Sequence, residues 1–205
     1  MEYFETNVFV NCPFDDDYRK LLLPIVFTLK YLGYNPKMAL QRVDSAESRI
    51  DKIITLIKES KFGIHDLSRI VSTKENENYR MNMPFELGID YGCKKLRDGV
   101  WSTKQILILE KEKYRYQKAL SDLSGSDIKN HDDDPAKVIM AVRDWFVTTE
   151  SKRADSGNKI WHSYNDFQAF LYDELIEKDG HESVAVVQIP EIIQLMTDWF
   201  VNIET

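Results

Sequence analysis

The chain has no long apolar run. Its longest uninterrupted stretch, Leu21 to Phe27, falls far short of the roughly 20 residues that cross a bilayer, so no membrane span is expected. Cysteine is scarce. Cys12 and Cys93 stand alone without CxxC spacing, which excludes a disulfide framework and a zinc knuckle. Basic charge is in deficit, with 27 Lys and Arg against 34 Asp and Glu and a net charge of -7. That argues against general binding to nucleic acid or anionic membrane, both of which want a basic face, although a local basic pocket stays allowed. Neither GxGxxG nor GxxxxGK[ST] occurs, so a Rossmann dinucleotide site of the usual type and a P-loop are unsupported. The start, Met1-Glu2-Tyr3-Phe4-Glu5, is acidic and has neither the basic opening nor the apolar core of a signal peptide. A cytoplasmic protein is expected.

What is present suffices for one sizeable domain, or one with a small appendage: 205 residues, 43% hydrophobic and 30% charged. The chain alternates strand and helix. Asn7–Asn11 reads as a buried first strand that stops at Cys12-Pro13. Asp15-Asp16-Asp17 opens a helix to about Leu32, with Pro24 kinking it and Gly33 ending it. Tyr34–Leu40 is a second strand. Asp44 and Ser45 are candidate caps for a helix whose Ile50, Ile53, Ile54 and Ile57 keep helical spacing to about Ser60. Phe62–Leu67 is a third strand, Gln105–Glu110 a fourth. Between them lie a long polar segment, Ser68–Met83, and a helix from Pro84 to about Lys95. Asp134-Pro135 opens a helix over Ala136–Val147.

Strands too apolar to be half-exposed, alternating with helices, predict an α/β fold with an open parallel sheet covered on both faces, flavodoxin-like in order. Residues 1–150 form this unit. From about Glu150 the pattern changes, and 151–205 reads as a helical extension with helices near Tyr164–Lys178 and Pro190–Ile203, a lid or an oligomerisation element.

In an open parallel sheet, ligands sit outside the carboxyl ends of the strands. That rule selects Asn11 and Asp15 after the first strand, Ser45 after the second, Asp66, Ser68 and Arg69 after the third, and Asn82 and Glu86 around the following helix start. Glu86 stands out between Phe85 and Leu87, although on spacing alone it reads as a dipole-matched glutamate, worth about 0.5 kcal/mol. His65 should face away from Asp66 and be packed. In His131-Asp132-Asp133-Asp134, Asp134 is better explained as a helix cap than as part of a metal cluster. Cys12 reads as core or bystander rather than nucleophile.

The run Arg80-Met81-Asn82-Met83-Pro84-Phe85-Glu86-Leu87-Gly88, following Gly63-Ile64-His65-Asp66-Leu67-Ser68-Arg69, resembles the corresponding part of nucleoside deoxyribosyltransferases. The same architecture is shared by Toll/interleukin-1 receptor (TIR) domains, whose NAD-cleaving members place a glutamate at the equivalent helix. Together with Val8-Phe9-Val10-Asn11-Cys12-Pro13-Phe14-Asp15, the run is most similar to a bacterial family of TIR-like proteins. The likeness covers about residues 5 to 150. It implies an N-glycosidase that cleaves the base–ribose bond of NAD or a related nucleotide and acts in bacterial antiviral defence, with Glu86 and Asp66 catalytic. Asn11, Asp15, Ser45, Ser68, Arg69 and Asn82 would bind substrate. No cofactor is implied, since NAD would be the substrate.

Two departures shape that implication. Arg80, Met81 and Asn82 stand where the deoxyribosyltransferases carry a second acid, and Asn82-Met83 stands where TIR domains carry Trp-Cys. A nicotinamide leaves as a neutral base with little acid catalysis, whereas a purine wants a proton donor, so the missing acid tilts the reading from nucleosides toward NAD. A nucleotide-sensing module without catalysis, a deoxyribosyltransferase-like enzyme and, last, a phosphoreceiver with Asp66 as acceptor remain alternatives. A homo-oligomer is expected, because Trp161, Trp199 and Phe200 look uncovered and TIR-like enzymes often complete their sites by association. The stretch Lys74–Asn78 is expected to act as a lid.

Overall fold

A computed structural model describes residues 3–41, 44–70 and 81–203. The expected lid at Lys74–Asn78 lies outside the described residues. Five strands, β1 (Asn7–Asn11), β2 (Asn35–Lys37), β3 (Phe62–Asp66), β4 (Gln105–Glu110) and β5 (Ile128–Asn130), form one sheet in the order β2-β1-β3-β4-β5, and every pairing is parallel. This is an α/β fold with the flavodoxin-like order, whose switch point lies between β1 and β3.

Helices α1 (Arg19–Tyr31) and α4 (Pro135–Glu150) cover one face, and α2 (Arg49–Lys58) and α3 (Asn82–Leu96) the other. Strand alternation divides the side chains between them. Val8, Val10, Ile64, Leu107 and Leu109 pack toward α1 and α4, whereas Phe9 and Ile108 pack toward α2 and α3.

Local chemistry explains where the elements begin. Asp134 caps α4 by accepting from the N–H groups of Ala136 (2.8 Å) and Lys137 (3.3 Å), so the acidic run beside His131 is a helix start, as its sequence indicates. Helix α1 continues through Pro24, and Gly33 takes the left-handed conformation just beyond it (φ 82°). The second strand is shorter than Tyr34–Leu40. It lies at the sheet edge, where Pro36, having no N–H to donate, is tolerated. Helix α2 starts at Arg49 rather than near Asp44, because the Asp44 carboxylate closes a local turn onto the Ala46 N–H (2.9 Å). Helix α3 starts two residues before Pro84, which then occupies the third position, where its missing N–H still costs no helical bond. The short β5 carries a single apolar residue, Ile128, and left no strand pattern in the sequence.

The C-terminal helices α5 (Gly157–Tyr172, continued by a π-helical turn at Asp173–Lys178) and α6 (Ile189–Ile203) belong to the same hydrophobic core as β1 and α1. Phe27 of α1 is their meeting point, with Phe200 at 5.0 Å, Tyr164 at 5.4 Å, and Phe167 and Trp199 at 5.6 Å between ring centres. Arg19 ties the preceding segment down by donating to the carbonyls of Val184 (2.9 Å) and Val187 (2.6 Å). Helix α5 begins seven residues before Tyr164, capped by Ser156, and Gly157 lets it approach α4: a Cβ there would meet Met140 Cγ at 2.7 Å. Trp199 is buried, and Trp161 and Phe200 pack against the core. These rings are covered within the chain and give no argument for self-association. No helix among the described residues is long and apolar enough to cross a membrane.

Candidate functional site

The carboxyl ends of β1 and β3 converge on two buried polar networks, one on each face of the sheet. On the α1 side, Asp66 accepts from the Tyr18 hydroxyl (2.6 Å), His131 Nε2 (2.9 Å) and the Ser68 N–H (2.7 Å). His131 is oriented in turn by the Asp133 N–H, which donates to its Nδ1 (3.0 Å). Burial pushes the Asp66 carboxyl up, but the bonds from His131, Ser68 and Tyr18 outweigh it and leave the group below its ordinary value. Burial beside Asp66 likewise drives the Tyr18 phenol well up. Both Asp66 oxygens are thus engaged by protein donors, and the residue is fully buried.

On the α3 side, the Asn11 amide nitrogen donates both to the Met83 carbonyl (3.0 Å) and to His65 Nδ1 (2.9 Å). Because that nitrogen is a donor to both, the His65 proton sits on Nε2, where it meets Asp90 Oδ2 at 3.0 Å. Asp90 Oδ1 lies 3.1 Å from Lys104 Nζ, which also donates to the carbonyls of Ile57 (2.8 Å) and Ser60. Asn11, His65, Asp90 and Lys104 are all buried. Gly63 makes room for this network, since a Cβ there would come within 2.2 Å of Asp90 Oδ2.

Glu86 and Asp90 are four residues apart on α3, so helical spacing puts both on its buried face with Met83 and Leu87. Glu86 is 4% exposed. Its Oε1 lies 3.5 Å from Arg49 Nη2 at the start of α2, an arginine whose own side chain is 56% exposed. Burial raises the Glu86 carboxyl above its ordinary value, and Arg49 offsets only part of that rise. Arg49 also lines a cavity of about 700 Å³, together with Cys12, Phe14, Asp15, Asn82 and Met83. At the same cavity, Asp15 caps the turn into α1 by accepting from the Tyr18 N–H (2.9 Å) and meets Arg69 at 3.6 Å. The Cys12 thiol is pushed well up by burial and by Asp66, Glu86 and Asp15, which makes it a poor nucleophile.

Of the expected site residues, Asp15 and Asn82 line the cavity, Arg69 reaches it through Asp15, and Glu86 through Arg49. Asn11, Asp66 and Ser68 lie beneath it as buried supports, and Ser45 is exposed outside its lining. Sequence reasoning passed over Arg49, Tyr18, Asp90 and Lys104, and weighed His131 only as part of a metal cluster, not as a partner of Asp66. Only Asp90 left a usable signal, the four-residue spacing from Glu86 on one apolar helix face. Among the described residues no group of His, Cys, Asp or Glu could hold a metal ion. No family model matches this chain, and no curated protein matches it.

Proposed function

We propose that this chain is an N-glycosidase that cleaves the base–ribose bond of NAD or a related nucleotide, with Glu86 as the carboxylate that meets the ribosyl carbon. One observation carries the reading: a nearly buried glutamate with a raised pKa, at the β1–β3 switch point, reached from a 700 Å³ cavity through a single exposed arginine. Breaking the C1′–N bond sends its electron pair to the departing nicotinamide and leaves an oxocarbenium-like ribose. A desolvated carboxylate stabilises that cation or traps it covalently, and water then adds hydroxide to C1′ and releases a proton. Arg49, half exposed and 3.5 Å from Glu86, and Arg69, 3.6 Å from Asp15, are the cations available to a diphosphate. Asp66 and Asn11 act as positioning residues, fixing the strand ends below the cavity. A role in bacterial antiviral defence rests on the resemblance to TIR-like proteins alone.

Incubation with NAD, followed by chromatography for nicotinamide and ADP-ribose, tests this reading. Release of nicotinamide that depends on Glu86 supports it. A second reading, a nucleotide sensor without catalysis, draws on the same Arg49–Glu86 pair, because a cation held on the carboxylate masks its charge. Calorimetric binding of ADP-ribose with no turnover of NAD would select that alternative.

A further inference from the structure

Strand β5 faces only the second half of β4. Ile108, Leu109 and Glu110 pair with Ile128, Lys129 and Asn130, whereas Gln105–Leu107 pair with β3 on one side and, among the described residues, have no strand on the other. Strand alternation identifies the groups left over. The Gln105 N–H donates to the Lys61 carbonyl (2.9 Å) and the Leu109 carbonyl accepts from the Leu67 N–H (2.9 Å), both toward β3. The Glu110 carbonyl accepts from the His131 N–H (3.0 Å), toward β5. Ile106, in step with Glu110, therefore turns its N–H and C=O to the open edge, and no strand among the described residues meets them.

A slot of about 670 Å³ surrounds this edge. Leu87 and Tyr91 of α3 wall it on one face of the sheet and Trp145 of α4 on the other. A strand edge between two helices is the surrounding that a strand of a parallel sheet occupies. Lys94, Lys95 and Lys129 line the slot against one carboxylate, Asp127, and none of the three has an ion-pair partner among the described residues. The slot is thus locally basic in a chain of net charge -7.

We propose that the slot docks an extended acidic peptide segment of a partner protein. The segment lies beside β4, hydrogen-bonds the Ile106 backbone, places its apolar side chains on one face toward Trp145, and sets its carboxylates on the other face against Lys94 and Lys95. Charge selects the occupant. A second copy laid edge to edge would bring the same lysines together, and like charges at a strand edge repel. The inference is independent of any chemistry at Glu86.

The test uses the full chain and two labelled hexapeptides, one alternating valine with glutamate and the other valine with lysine. The glutamate peptide should bind in fluorescence anisotropy, more weakly as salt rises, and should slow amide exchange at Ile106 about tenfold. The lysine peptide should do neither, and the Lys94→Glu, Lys95→Glu double variant should reverse the preference. Because the exchange measurement uses the parent protein, the result stands even if that variant folds poorly. Equal effects of the two peptides, unchanged exchange at Ile106, or protection that grows with protein concentration in the absence of peptide would each overturn the proposal.

Discussion

Replacing Glu86 with glutamine keeps the size of the side chain and removes its charge, which separates a catalytic carboxylate from a structural one. The helix dipole contributes little here, because Glu86 is the fifth residue of α3 and the dipole acts mainly within the first turn. Two effects on stability oppose one another. Burial disfavours the charged form, so a neutral amide relieves a desolvation cost. The variant also loses Arg49, but that side chain is 56% exposed at 3.5 Å, and solvent screening leaves such a pair about 0–1 kcal/mol. The net change in stability should stay below about 1 kcal/mol, a shift of a few degrees in Tm. Turnover has no such compensation: losing one contact to developing charge costs about 2.7–4 kcal/mol, a factor of ~10²–10³ in rate. Nicotinamide release, thermal unfolding and calorimetric binding of ADP-ribose should be measured on the same preparations. Intact folding and binding with turnover lowered at least a hundredfold, by the same estimate of about 2.7 kcal/mol or more, is the expected result. A Glu86→Gln protein that cleaves NAD at the parent rate refutes the catalytic assignment.

Lys104→Met should cost about 3–5 kcal/mol in urea unfolding, because it takes the cation from the buried Asp90 and leaves that carboxyl with His65 Nε2 alone, and adding Asp90→Asn, which keeps an acceptor for His65, should recover part of the loss; a single variant as stable as the parent would refute the pairing. Gly63→Ala should destabilise by about 1–3 kcal/mol, since the new Cβ falls 2.2 Å from the Asp90 carboxylate, and a neutral result in the same measurement would contradict that packing. Asp66 has a folded pKa below its unfolded one, so its contribution to stability is fully present above the unfolded value of about 3.9 and is lost as pH falls through the folded value. Asp66→Asn should therefore flatten the acid limb of a stability–pH curve, and an unchanged limb would count against the Tyr18–His131 network.

The order of strands and helices through β4 was legible in the chain because it rests on local chemistry. Apolar runs such as Asn7–Asn11 and Gln105–Glu110, punctuated by Cys12-Pro13, Gly33 and Asp134-Pro135, suffice to mark strands and helix ends, and the parallel sheet follows from strands too apolar to face water. The rule that ligands meet the carboxyl ends of such strands then directed attention to Asp15, Asp66 and Glu86. Their arrangement was decided by packing. Asp66 and His65 are neighbours in sequence, yet the pleat sends one to Tyr18 and His131 and the other to Asn11 and Asp90, so a single strand end supplies two separate networks. Arg49 meets Glu86 across two helices 33 residues before α3 begins at Asn82, and no local pattern encodes that distance. The same holds for Trp161, Trp199 and Phe200, which look exposed along their own helices and are covered only because α5 and α6 close on Phe27 of α1. Local sequence sets which elements form, through dihedral preference and apolar period. Which charges meet depends on contacts between residues far apart in the chain, and these exist only once the sheet has brought the helices together.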